Sequence, residues 1–182
     1  MKILFLLFSM CLPINASGDE LFWKDREGNA VKETESQKSI DGFGGWVLVT
    51  PDQDWEEKWN TPYDTIPHFN TTSTVAVGER IMTLILFSNP AVDSNQMADI
   101  RCDLKVTRPD GSISVDVQDM DCFKGPILGD PYAIRITNGL VGFVAEDDDQ
   151  RGEWITDVRL TDLVRGVSLN LRARFTLVDS QR

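Results

Sequence analysis

Apolar and polar residues alternate most cleanly near the end of the chain. Val167, Leu169, Leu171, Ala173, Phe175 and Leu177 are interleaved with Ser168, Asn170, Arg172, Arg174 and Thr176. A period of two places one set on a core and the other in water, which is the pattern of a half-buried strand. Just before it, Trp154, Val158 and Leu160 alternate with Ile155, Asp157 and Arg159, so the two runs predict a long antiparallel hairpin. A second hairpin is predicted about Asp110-Gly111, a two-residue turn signal. Ile100, Cys102, Leu104 and Val106 share one face of its first strand, and Ile113, Val115 and Val117 one face of its second. Folding about the turn pairs Val106 with Val115 and Leu104 with Val117, so pattern and register agree.

The run from Arg80 to Ser88 is apolar on both faces and predicts a central strand that Asn89-Pro90 ends. From Phe43 the character changes: Gly44-Gly45 is followed by Trp46 to Val49, a compact β-type run that ends at Pro51. Residues 132–136 and 140–145 predict two further short strands. Asp54 to Trp59 is the single helical signal: Asp54 is a capping residue type, Glu56 and Glu57 occupy the first turn, and Lys58 follows. Its Trp55 and Trp59 are four apart and fall on one face. Residues 24–41 are polar and mixed in charge and read as a linker or long loop after the short apolar patch Leu21-Phe22-Trp23. Short strands with frequent turns and almost no helix predict an all-β protein: a single antiparallel β-sandwich with a short helical turn and an N-terminal extension.

The first residues set the compartment. Lys2, the apolar run from Ile3 to Leu12, then Pro13 and the small residues Ala16, Ser17 and Gly18 have the order of a secretory signal peptide. We therefore expect residues 1–18 to be a leader, 19–42 an extension and 43–182 the sandwich. The apolar run is shorter than the roughly 20 residues a membrane span requires. A bacterial periplasmic location follows as the expectation, with passage across an outer membrane left open. There the two cysteines that survive cleavage, Cys102 and Cys122, should form a disulfide. A metal pair is disfavoured because no histidine or third cysteine lies near enough in sequence to complete a tetrahedron. The hairpin register sets Cys102 opposite Asp119, so a bond to Cys122 demands a bulge or bend between residues 119 and 121.

Charge excludes some partners. The chain has 29 acidic and 18 basic residues, a net −11, and its acidity repels nucleic acid and anionic lipid surfaces. No triad is visible: His68 is the only histidine and no Gly-x-Ser-x-Gly elbow occurs. Asn70-Thr71-Thr72 has the form of a glycosylation sequon, which an exported bacterial chain does not use. Glu146, Asp147, Asp148 and Asp149 offer hard oxygen ligands of the kind calcium prefers, without the spacing or internal glycine of a calcium loop. No cofactor is expected.

The last residues carry a likeness. Gly152-Glu153-Trp154, then Leu160-Thr161-Asp162, then Phe175 to Val178 resemble the closing strands of immunoglobulin-like modules in exported bacterial proteins. The resemblance covers the C-terminal strands alone and implies a binding or structural module; it transfers no functional residue. Cys102 and Cys122 depart from the antibody pattern, since they lie in one hairpin neighbourhood with no tryptophan between them. Contact chemistry is instead densest around Trp46, Trp55, Trp59 and Tyr63. Indoles supply large apolar area with one polar N–H, which suits an interface anchor or a stacking platform, but also a plug at the end of a sheet. The functional expectation is a non-catalytic envelope module with a protein partner. A carbohydrate-binding domain and a hydrolase with an unrecognised carboxylate pair are the alternatives.

Overall fold

The computed structural model describes residues 22–25, 27–61 and 68–180. The expected leader and Tyr63 lie outside them. Among the described residues, nine strands and one short helix follow in the order β1 (Gln37–Ile40), β2 (Phe43–Thr50), α1 (Trp55–Trp59), β3 (Thr74–Ala76), β4 (Arg80–Ser88), β5 (Met97–Thr107), β6 (Ile113–Pro126), β7 (Arg135–Val144), β8 (Gly152–Asp162) and β9 (Val167–Val178). They form two sheets, ordered β1-β2-β4-β7 and β3-β9-β8-β5-β6. With β2, β4 and β7 as A, B and E, and β6, β5, β8 and β9 as C′, C, F and G, this is the immunoglobulin arrangement of two packed sheets. Pairing is not antiparallel throughout, as the sequence pattern implied: the short β3 runs parallel to β9.

The core lies between the sheets, where the period of two drives one face of each strand. Val47, Val49, Ile81, Ile85 and Phe87 from the first sheet meet Ile100, Leu104, Val158, Leu160, Leu169 and Leu171 from the second. Gly45 faces the second sheet closely: a Cβ there would stand 2.9 Å from the tips of Leu160 and Leu169.

Val106 pairs with Val115 and Leu104 with Val117, as the alternation required. Beyond them β6 bulges at residues 118–119, where Asp119 takes a φ of 53°, so Met120 comes opposite Cys102. One extra residue reverses which face each side chain meets. That turns Cys122 inward, bonded to Cys102 with a Cα–Cα separation of 5.7 Å. A further bulge at Ser114 moves Ile113 out of line with Val115 and Val117; it pairs with Thr107 and is exposed. Residues 132–136 and 140–145 are not two strands: the single strand β7 joins 135–136 to 140–144, residues 132–134 belong to the loop before it, and residues 137–139 form a bulge opposite Ile85.

The polar stretch before Phe43 is held by backbone groups. Its last residues form β1 on the edge of β2, Ser36 C=O accepts from Val47 N–H at 2.8 Å, and Glu35 C=O accepts from Arg172 N–H at 2.7 Å. No helix among the described residues is long and apolar enough to cross a membrane.

Candidate functional site

The first sheet is apolar on its outer face as well as its inner one. Trp46, Leu86 and Ile136 form one outward row across β2, β4 and β7, and Leu48, Leu84 and Leu140 the next. Leu48, Leu84 and Leu86 are buried although they point away from the core, because Trp55 and Trp59 of α1 and Phe69 lie across them. This explains the two-sided apolarity of Arg80–Ser88. Trp46, Trp55 and Trp59 are thus brought together on one surface, each half-buried. Trp59 stacks on Phe69 with centroids 6.4 Å apart and planes 16° apart.

A five-residue helix does not persist alone in water. Asp54 does not cap it: its side chain makes no cap bond, and its carboxylate instead lies 3.2 Å from Lys58 Nζ. The latch is Asp52. Its buried carboxylate accepts from Asn70 N–H and Asn70 Nδ2, both at 2.8 Å, and meets Lys58 Nζ at 2.8 Å. Burial pushes this carboxyl up, but the Lys58 ammonium and the two Asn70 bonds outweigh it and hold the pKa down at about 2. One carboxylate therefore fastens both α1 and the chain following residue 67 to the sheet. Asn70, the sequon residue, is spent on this bond.

At the other end of the same face, Phe22 and Trp23 lie over Gly44, one row beyond Trp46. A Cβ on Gly44 would collide with the Phe22 ring and stand 2.9 Å from Trp23 Cζ2, so only glycine admits them. The Phe22 ring also stands 6.0 Å from that of Tyr132. Tyr132 belongs to the loop between β6 and β7, which displays Leu128, 79% exposed, and Tyr132, 60% exposed. The guanidinium of Arg135 braces this loop by donating to the carbonyls of Leu128, Asp130, Pro131 and Ala133 at 2.7 to 3.1 Å. Sequence reasoning missed the loop by reading its second half as strand; its turn residues Gly129 and Pro131 were the available signal.

The acidic run 146–149 is not gathered as a metal cage, and among the described residues no three histidine, cysteine or acidic side chains converge as metal ligands. Its main-chain oxygens face a cation of the protein's own: Arg151 Nη1 donates to the carbonyls of Asp149, Asp147 and Glu146 at 2.6, 3.2 and 3.4 Å. Asp149 turns back to accept from Glu146 N–H. His68 is exposed beside Phe69. A general-acid carboxyl needs a raised pKa; Asp25, Glu35, Asp52, Asp93 and Asp110 are all displaced downward.

No protein-family sequence model matches the chain, and no curated protein matches it in sequence. Solved structures similar in shape include the following three. One is a family 123 glycoside hydrolase from Clostridium perfringens, at 7% identity and TM-score 0.43 over 75% of this chain and 28% of that one. Another is the alkylpurine DNA glycosylase AlkC of Pseudomonas fluorescens bound to DNA, at 17% identity and TM-score 0.36 over 58% and 27%. The third is a CARDB domain from Pyrococcus furiosus in complex with di-metal ions, at 8% identity and TM-score 0.40 over 82% and 100%. The chain spans little more than a quarter of either of the first two.

Proposed function

We propose that this protein is an exported, non-catalytic binding module of the bacterial envelope, and that it engages a protein through the outer face of its four-stranded sheet. The observation that supports the reading is a half-exposed aromatic surface built on the side of the sheet opposite the core, continued at one end by Leu128 and Tyr132. Large aromatic anchors at the centre of a rigid surface are the usual carriers of binding energy. Arg135 and the Asp52 latch hold the loop and α1 before a partner arrives, which lowers the ordering cost of association. The Cys102–Cys122 disulfide fits an oxidising compartment. No observation favours the carbohydrate reading, because Trp59 already stacks on Phe69.

The test places a photoreactive phenylalanine analogue at Leu128, at Tyr132 or, as a control on the opposite sheet, at Asn170, in cells of the source bacterium. The expected result is one discrete protein adduct at the first two positions and none at Asn170. Adducts of equal yield at all three, or glycan in place of protein, would refute the reading.

A further inference from the structure

We propose a second, independent docking site: the free edge of β6 at Val115-Asp116-Val117, which takes an extended segment of a partner protein carrying the consecutive pattern apolar, Lys or Arg, apolar. Among the described residues β6 is the edge strand of the five-stranded sheet, paired with β5 on one side alone. An edge strand presents unpaired N–H and C=O groups that serve as a template for another strand. Bulges at Ser114 and at residues 118–119 bound the regular stretch and limit it to these three residues. Val115 and Val117 point toward the core side, yet Val117 is 41% exposed, so an apolar neighbour on each would complete the layer.

Charge specifies the residue between them. On the outer face, facing charges of adjacent strands alternate in sign. Arg172 of β9 faces Asp157 of β8, with Nε and Oδ1 2.6 Å apart; Asp157 faces Lys105 of β5, and Lys105 faces Asp116 of β6. The other facing charges of β5 and β6 obey the same rule, Arg101 against Asp121 and Asp99 against Lys124. The row Arg172, Asp157, Lys105, Asp116 stops at the edge on an exposed carboxylate, so the next strand in sequence would bring a cation. Opposite charges directly across a strand pair are stabilising and like charges destabilising. A second copy of this chain is the weaker occupant, because each copy carries a net −11.

The probes are two blocked pentapeptides, Thr-Val-Lys-Val-Thr and Thr-Val-Glu-Val-Thr, titrated into the disulfide-bonded protein and followed by backbone amide NMR. The lysine peptide should bind about fivefold more tightly than the glutamate peptide, the scale of one cross-strand charge pair, with shifts and slowed exchange confined to residues 113–118. Asp116→Lys should reverse the preference, and Asp116→Asn should abolish it; the residue is exposed, and unchanged melting of both variants would show the fold intact. N-methylation of the lysine peptide at alternate positions should abolish binding in one parity. Equal affinities for wild type, shifts elsewhere, indifference to both N-methyl series, or edge protection from self-association without peptide would each overturn the proposal. None of these readouts involves the aromatic face, so failure here and failure of the binding-module reading are separable.

Discussion

Replacing Asp52 with asparagine keeps its shape and removes the charge on which the outer layer hangs. In the native protein the carboxyl titrates at about 2 against 3.8 for an ordinary aspartate. At about 1.4 kcal/mol per pKa unit, that difference corresponds to roughly 2 kcal/mol at neutral pH. Two corrections pull in opposite directions. Lys58 is 27% exposed, so solvent screens part of its attraction. The asparagine, on the other hand, cannot accept from Asn70 N–H, Asn70 Nδ2 and Lys58 with one amide oxygen, and a donor left unmet inside costs about 1–3 kcal/mol. We therefore expect Asp52→Asn to lower stability by about 2 kcal/mol. For a domain of this size that is a fall of roughly 4–8 °C in melting temperature. The sign of the pH dependence follows from the lowered pKa. The stabilisation is fully present above the unfolded-state value near 4 and disappears as pH falls through 2. Urea titrations of wild type and variant at pH 7, 4, 3 and 2.5 should show a gap that is constant down to about pH 4 and shrinks below it. Tryptophan emission of the variant should shift to the red as α1 leaves Trp55 and Trp59 in water. A gap that does not change with pH, or equal stabilities at pH 7, would refute the latch.

Three further outcomes test the framework. Cys102→Ser, or reduction of the wild type, should cost up to about 3 kcal/mol in urea, since the bond closes a loop of 20 residues; equal midpoints with and without reductant would sink that claim. Gly45→Ala should cost about 1–3 kcal/mol, because its Cβ meets Leu160 and Leu169 at 2.9 Å, and an unchanged midpoint would mean that those leucines swing aside freely. Arg135→Lys should leave the melting temperature within a few degrees yet speed amide exchange across residues 128–134 about tenfold, since an ammonium cannot reach four carbonyls as the guanidinium fork does; unchanged exchange would show that the loop needs no brace.

The sequence is legible where side chains themselves carry the period. The register of Val106 with Val115 follows from alternation and a turn signal, and the bulge follows from parity: Cys102 and Cys122 cannot share a face unless an extra residue intervenes. What escaped detection is held by the main chain. β1 is polar and leaves no hydrophobic trace, because its bonds to β2 join backbone groups that every residue type possesses. Arg135 reads as an ordinary surface cation until the chain curls its carbonyls around it. Thr137-Asn138-Gly139 has turn composition but serves as a bulge, since Gly139 lets β7 pass within a Cβ's distance of Met120 and Cys122.

The aromatic site lies between these two cases, and its reason bears on function. Trp55 and Trp59 announce a shared face by their spacing of four, but nothing local states what that face covers. The partner is in the alternate register of β4: Met82, Leu84 and Leu86 are as apolar as Ile81, Ile85 and Phe87. A strand with one wet face has no use for the second set. A sheet apolar on both sides needs a cover, and the described chain supplies one in two pieces, α1 at one end and Phe22–Trp23 at the other. A five-residue helix and a two-residue patch are small covers for a four-stranded sheet. Trp46 and Ile136 remain half-exposed in the row next to Gly44, which makes this face, more than any single residue, the place where an incoming partner would gain the most by excluding water.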